Sequence, residues 1–249
     1  MLRFRTPFLR KLFIIICALS ALVLLWSIFY PWGTWRYKMT VVVETPEGTK
    51  TGSVVREIGV GSEPALLGTS GGGSASAKGE AVIVDLGQRG KLFVLNDYPY
   101  GESSKYRIFW DAFPMPEGRG ALTPQGIRYY RSLKNKKAVL SANYNLFMVT
   151  FGDLEKPESV KLVRAQYVKK DNQTYKIDRF QEIFGAGVSI KEIIIETTEE
   201  PVTWKIERTL PWIFNAWPQR LGKLDTLHVT TTDKEKTFEL SRAKFTMGK

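Results

Sequence analysis

One uncharged stretch divides the chain: residues 12–30 read LFIIICALSALVLLWSIFY. As a helix, this stretch has about the 20 residues needed to cross roughly 30 Å of hydrocarbon. Pro31 and Gly33 favour the end of a helix, so we predict a transmembrane helix over residues 12–32. Aromatic residues, whose rings prefer the membrane–water interface, gather at its distal end: Trp26, Tyr30, Trp32 and Trp35.

The charges that flank this stretch predict its orientation. Residues 1–11 carry four cations and no acid, whereas Arg36 and Lys38 are the first cations on the distal side. This bias favours a basic cytoplasmic tail at residues 1–11 and a globular domain at residues 36–249 on the other side of the membrane. The alternatives are a cleaved signal peptide and a buried helix in a soluble protein. Cleavage at the small-residue cluster, residues 18–21, would leave the apolar stub LVLLW.

The composition excludes several kinds of site. Hydrophobic residues make up 43% of the chain and charged residues 24%, which is typical of a folded domain rather than a disordered one. Cys17 is the only cysteine, so no internal disulfide can form, and its place in the apolar stretch excludes a nucleophile pair with His228, the only histidine. The sequence predicts no catalytic, cofactor-binding or metal-binding residue. The net charge of +11 favours anionic partners.

Strand patterns dominate the rest of the chain. Residues 36–45 (RYKMTVVVET) and 51–60 (TGSVVREIGV) are rich in β-branched side chains and predict a hairpin that turns at Pro46, Glu47 and Gly48. A second hairpin is predicted around Gly87 and Gly90. The other predicted strands are residues 147–151, 188–197, 227–231 and 237–240, the last two forming a closing hairpin.

The predicted helices are short. Thr123 and Pro124 favour a helix over the following residues QGIRYYRSLKNK, and Asp178 favours a second one that ends at Gly185. An amphipathic helix is expected within residues 207–221. Residues 61–79, which are rich in Gly, Ser and Ala, predict a flexible loop. Because strands outnumber helices and hairpins join most of them, we predict an α+β fold with a mainly antiparallel sheet and a few short helices.

Aromatic residues supply the candidate partner-binding site. Residues 97–121 are rich in Pro, Gly and aromatic side chains, and exposed rings often anchor protein interfaces. The candidate binding residues are Tyr98, Tyr100, Trp110 and Trp217. The alternative is that these rings belong to the core.

Two catalytic hypotheses rest on weaker sequence patterns than the binding hypothesis. Two carboxylates could perform hydrolysis if the fold brought them together, and the candidates are Asp85, Asp97, Asp111 and Asp153. A Ser-Lys dyad would draw on Ser74, Ser76 and Lys78, but a flexible loop offers no burial to lower the lysine pKa.

Four segments carry a resemblance to a protein family: MTVVVETPEGTKTGS (39–53), GEAVIVDLG (79–87), FMVTFGDLEKPESVKLV (147–163) and FGAGVSIKEIIIETTEEPVT (184–203). Together they resemble uncharacterised proteobacterial envelope proteins, mostly of alphaproteobacterial type. The resemblance implies a single-pass anchor in the bacterial inner membrane and a periplasmic domain. It implies no activity and no catalytic residue.

Three functions remain open at this point. The first is a non-enzymatic, membrane-tethered periplasmic module that binds a protein partner or another envelope component. The second is a tethered hydrolase of an envelope polymer that uses two carboxylates. The third is a domain that binds an anionic lipid or glycan. Nucleic acid is disfavoured as a partner because it conflicts with the predicted topology.

Overall fold

The computed structural model describes residues 7–63, 73–96, 105–116, 120–168, 174–215, 227–230, 237–240 and 242–248. Its first element, helix α1 (Pro7–Phe29), is exposed along its whole length and is long and apolar enough to cross a membrane. The helix begins before the predicted residue 12 and ends before the predicted residue 32. Proline is favoured in a first helical turn but cannot continue a helix, which fits Pro7 at the start and Pro31 after the end.

The predicted α+β fold with mainly antiparallel sheets is confirmed. The larger sheet has the strand order β13-β3-β2-β1-β10-β6. Its strands are β1 (Trp32–Thr45), β2 (Gly48–Ser62), β3 (Gly73–Glu80), β6 (Lys137–Leu140), β10 (Ser189–Thr198) and β13 (Thr246–Met247). β1 pairs with β10 in antiparallel register, so that Arg36 lies opposite Thr198 and Val41 lies opposite Ile193.

A second sheet has the order β4-β5-β7-β8-β9. Its strands are β4 (Val82–Asp85), β5 (Lys91–Val94), β7 (Met148–Phe151), β8 (Val160–Val168) and β9 (Thr174–Asp178). The hairpin of β11 (Leu227–Thr230) and β12 (Thr237–Leu240) is separate. The short helices are α2 (Arg107–Ala112), α3 (Pro124–Ser132), α4 (Phe180–Phe184), α5 (Trp212–Asn215) and α6 (Arg242–Phe245).

The chain divides into two compact units. The anchor unit contains residues 1–34, 59–75 and 115–132, and the sheet unit contains residues 35–58, 76–114 and 133–249. The sheet unit has an aromatic core in which Phe151 packs edge-on against Phe93 and Trp212, with ring centroids 5.3 and 5.6 Å apart. All three rings are buried.

One prediction of local structure is wrong. Residues 73–79 belong to β3 rather than to a flexible loop, because the backbone ladder with β2 forms without large side chains. The helix expected within residues 207–221 is described only as far as Asn215, where the chain forms a 3-10 turn (Ile206–Arg208) and the four-residue helix α5; residues 216–221 lie outside the described residues. Pro211, which lacks an N–H, separates the 3-10 turn from α5.

Candidate functional site

The anchor unit places several strand ends next to the end of α1. The Tyr30 N–H donates to the Trp26 carbonyl at 2.8 Å, and the two rings lie 4.8 Å apart. The backbone N–H and the hydroxyl of Ser62, at the end of β2, donate to the Pro31 carbonyl at 3.2 and 3.3 Å. β2 is therefore attached to the residue that separates α1 from β1.

Helix α3 packs on the beginning of β1. The Thr123 hydroxyl accepts the Gly126 N–H at 3.1 Å, which is the N-terminal cap that the sequence predicts. Ile127 is fully buried on the inner face of α3. A Cβ at Gly33 would lie 2.7 Å from Arg131 Cδ, so the glycine allows the arginine side chain to lie flat on the strand.

The outer face of α3 is cationic. Arg128 and Arg131 are both exposed, and Arg131 Nη1 lies 3.5 Å from the Trp32 carbonyl oxygen as its hydrogen-bond donor. Neither arginine pairs with a carboxylate in the part of the chain that the structure describes. In the sheet unit, by contrast, Arg36 pairs with Glu57 at 2.9 Å.

The aromatic residues of α2 form the second candidate surface. Phe109 is buried against Tyr37 and Trp35, with ring centroids 5.2 and 6.1 Å away. Trp110 is half-buried on another side of α2 and stacks on Tyr106 at 5.5 Å. One predicted binding residue, Trp110, is therefore partly accessible, while Phe109 belongs to the core.

The other three predicted binding residues lie outside the described residues: Tyr98, Tyr100 and Trp217. The structure therefore assigns them neither to a surface nor to the core.

A polar cleft of about 410 Å³ lies between the β1–β2 turn and the β4–β5 connection. Arg89 donates two hydrogen bonds to the Glu47 carboxylate, of 3.0 Å from Nε and 2.6 Å from Nη2, and a third to the Phe184 carbonyl. The hydrogen bonds from Arg89 lower the pKa of Glu47 to about 2. All three nitrogens of the Arg89 guanidinium donate hydrogen bonds within the protein. The side chain therefore joins the β1–β2 turn, the β4–β5 connection and α4.

Replacing Glu47 with glutamine is expected to reduce the loss of stability in acid. The pKa of Glu47 falls from 4.5 to about 2 on folding, so its contribution is fully present above pH 4.5 and disappears as the pH falls towards 2. A neutral glutamine has no such dependence. The check is the unfolding midpoint of the full-length protein in detergent across this pH range, with Glu158→Gln as the control at an exposed site. Equally steep profiles for Glu47→Gln and the wild type would contradict the assignment.

The candidate catalytic carboxylates have structural partners. Lys91 and the Gly87 N–H lower the pKa of Asp85, and the Glu155 N–H and Lys156 lower that of Asp153. A general acid needs a raised pKa instead.

The remaining catalytic candidates are Asp111, Asp97 and the lysine of the Ser-Lys dyad. Asp111 accepts a hydrogen bond of 2.7 Å from the Tyr144 hydroxyl, and Asp97 lies outside the described residues. Lys78 of the proposed dyad is exposed and pairs with Glu57 at 3.3 Å. Within the described ranges, no group of three or more His, Cys, Asp or Glu side chains could hold a metal ion.

The fold defines an α+β protein with an apolar N-terminal helix suited to a membrane anchor. No known family model matches the chain, and comparison with curated proteins finds no match.

The sequence predicts the helix α3 but not a cationic surface on it. The position of its cations beside Trp32 depends on a contact between residues far apart in sequence. The absence of an acid from TPQGIRYYRSLKNK is the one local signal that could have marked this helix as a cationic surface.

Proposed function

We propose that this chain is a membrane-anchored periplasmic binding module of the bacterial cell envelope. The observation that carries the proposal is the 23-residue helix α1, which is exposed throughout and runs into strand β1 with only Tyr30 and Pro31 between them. A helix of this length spans about 35 Å, enough for the hydrocarbon core, and burial in lipid removes its apolar surface from water.

The charge bias supports a cytoplasmic N-terminus. Residues 1–11 hold four cations and no acid, and cationic flanks tend to remain in the cytoplasm. On this basis the folded part is periplasmic, and the family resemblance of the strand segments supports the inner membrane of a bacterium.

Binding is a better fit than catalysis for the surfaces described. Trp110 offers a half-exposed ring supported by Tyr106, and rings of this kind anchor protein interfaces. The pKa values of Asp85 and Asp153 are lowered by hydrogen bonds from lysine side chains and backbone N–H groups, which suits structural roles for these carboxylates.

The topology is tested with two fusions at the C-terminus of the full-length chain, one to alkaline phosphatase and one to a green fluorescent protein. Alkaline phosphatase is active only after export, whereas an ordinary green fluorescent protein fluoresces in the cytoplasm. We expect phosphatase activity without fluorescence, together with retention of the chain in membranes washed with alkaline carbonate. Fluorescence without phosphatase activity would reverse the orientation, and release by carbonate would overturn the anchor.

Replacing Trp110 with alanine is expected to abolish capture of a protein partner in native membranes. Truncation of a central aromatic anchor costs about 2 kcal/mol or more in binding, which is roughly a thirty-fold loss of affinity. The measurement is crosslinking of the C-terminally tagged full-length chain, followed by quantitative mass spectrometry of the recovered proteins.

The matched control is Trp204→Ala, because Trp204 is also a half-buried tryptophan of the sheet unit. A discrete partner that is recovered with the wild type and the control but lost with Trp110→Ala supports the proposal. Recovery of the bait alone, or equal recovery with both variants, counts against partner binding through α2.

A further inference from the structure

We propose that Arg128 and Arg131 of α3, together with Trp32, bind the headgroups of anionic phospholipids in the leaflet where α1 ends. This inference rests on the membrane anchoring in the proposed function and adds a specific lipid contact to it. It assigns the cationic face of α3 to the membrane itself rather than to a protein partner.

The depth of these residues follows from chain connectivity. α1 ends at Phe29 and β1 begins at Trp32, and a chain advances by at most about 3.5 Å per residue, so Trp32 lies within roughly 10 Å of the helix end. The headgroup layer is roughly 5–8 Å thick on each side of the hydrocarbon core. Trp32, whose side chain is 66% exposed, therefore falls at the level of the headgroups.

The contact between α3 and β1 brings the guanidinium of Arg131 to the same level. Its Nη1 is 3.5 Å from the Trp32 carbonyl oxygen, and its aliphatic stem lies over Gly33. Arg128 is exposed one helical turn earlier on α3. Residues three apart on a helix are neighbours, with Cβ atoms roughly 5–6 Å apart, so the two arginine side chains leave the same side of α3.

The charge of this surface matches phosphate. No carboxylate among the described residues pairs with Arg128 or Arg131. The next cations along the chain after Trp32, which are Arg36 and Lys38 of β1, instead pair with Glu57 and Glu200 at 2.9 and 3.3 Å. A guanidinium presents a planar fork of N–H donors that fits two phosphate oxygens. The indole of Trp32 is suited to the interfacial layer, where its ring meets acyl chains and its N–H meets polar headgroups.

The experiment uses the full-length chain in vesicles of phosphatidylcholine mixed with phosphatidylglycerol. A photoactivatable group on the phosphatidylglycerol headgroup labels nearby residues, and peptide mass spectrometry locates the label. We expect labelling of the peptides that contain Trp32 and residues 120–132. Arg128→Gln with Arg131→Gln should reduce it about 25-fold, since each cation removed accounts for roughly five-fold.

Three further measurements make the test specific. The double variant Lys156→Gln with Lys191→Gln removes the same charge from exposed positions in the sheet unit and should leave the labelling unchanged. Arg128→Lys with Arg131→Lys keeps the charge and should retain more label than the glutamine pair. Raising the salt from about 0.01 M to about 1 M shortens the Debye length from about 30 Å to about 3 Å and should reduce labelling of the wild type.

Several outcomes would overturn the inference. These are equal labelling of the wild type and the glutamine pair, an equal loss in the lysine control, or equal labelling by a phosphatidylcholine probe of the same design. If the glutamine pair does not fold, Arg128→Gln alone decides the question, because the Arg128 side chain makes no hydrogen bond among the described residues. α1 is unchanged in every variant, so release of the wild type by alkaline carbonate would instead identify a failure of the anchoring.

Discussion

Replacing Gly52 with alanine is expected to lower the free energy of unfolding by about 3 kcal/mol, since the added methyl group has no space. A Cβ at Gly52 would fall on the carbonyl oxygen of Ile83 and lie 2.7 Å from its carbonyl carbon. These are backbone atoms of β4, so no side-chain rotation can relieve the clash. Denaturation of the full-length protein in detergent, followed by tryptophan fluorescence, measures the change.

Gly61→Ala is the matched control in the same strand. A Cβ there would lie 3.3 Å from the Ser74 hydroxyl, which can rotate away, and 3.7 Å from the Trp32 ring. Its expected effect is within about 1 kcal/mol, because alanine also loses less backbone entropy than glycine on folding. Similar unfolding midpoints for the two variants would show that β2 and β4 do not approach each other as closely as described.

Replacing Glu80 with alanine is expected to cost about 3 kcal/mol or more. The Glu80 carboxylate is 2% exposed and accepts the N–H groups of Lys205 and Ile206 at 2.7 to 2.9 Å. Hydrogen bonds to a charged group contribute roughly 1.5–3 kcal/mol each, and their loss leaves buried donors without partners.

Two further variants separate these contributions. Glu80→Gln keeps the shape and one acceptor oxygen but removes the charge, so we expect an intermediate loss. Glu158→Ala removes an exposed glutamate and is expected to change stability by less than about 0.5 kcal/mol. A loss for Glu80→Ala no larger than that for Glu158→Ala would mean that the turn at Ile206 does not depend on the carboxylate.

The hairpins of this fold could be predicted because their turns are local. Pro46 and Gly48, and then Gly87 and Gly90, mark the reversals between runs of β-branched residues, and the structure confirms both hairpins. α4 could also be predicted from local sequence, because Asp178 accepts the Phe180 N–H at 3.4 Å and Gly185 ends the helix with a φ of +95°. In each case the deciding residues lie within one turn of the feature they determine.

Elements that depend on distant partners were missed. β3 consists of small and polar residues with no strand signature, and it exists because β2 and β13 provide its hydrogen-bond ladder. β6, β8 and β9 also had no distinct pattern, although β8 lies between β7 and β9 in its sheet. The pairing of β1 with β10 joins residues 36–44 to residues 189–198, which no local pattern indicates.

The candidate surfaces also differ in whether local sequence or distant contacts determine them. The apolar composition of α1 predicts an anchor directly, and the aromatic content of α2 draws attention to Trp110. That Phe109 is buried while Trp110 is half-exposed depends on packing against Tyr37 and Trp35, which the sequence does not specify. The proximity of Arg131 to Trp32 likewise arises only in the folded chain.

The order of strands in the larger sheet also constrains how this protein can be synthesised. β1 and β2 form a local hairpin, but the other edge of β1 pairs with β10, and β3 is completed by β13 close to the C-terminus. In the proposed topology, β1 emerges first during export and retains an open edge until residues 189–198 have crossed the membrane. Such late, long-range closure slows folding and exposes unpaired strand edges to aggregation.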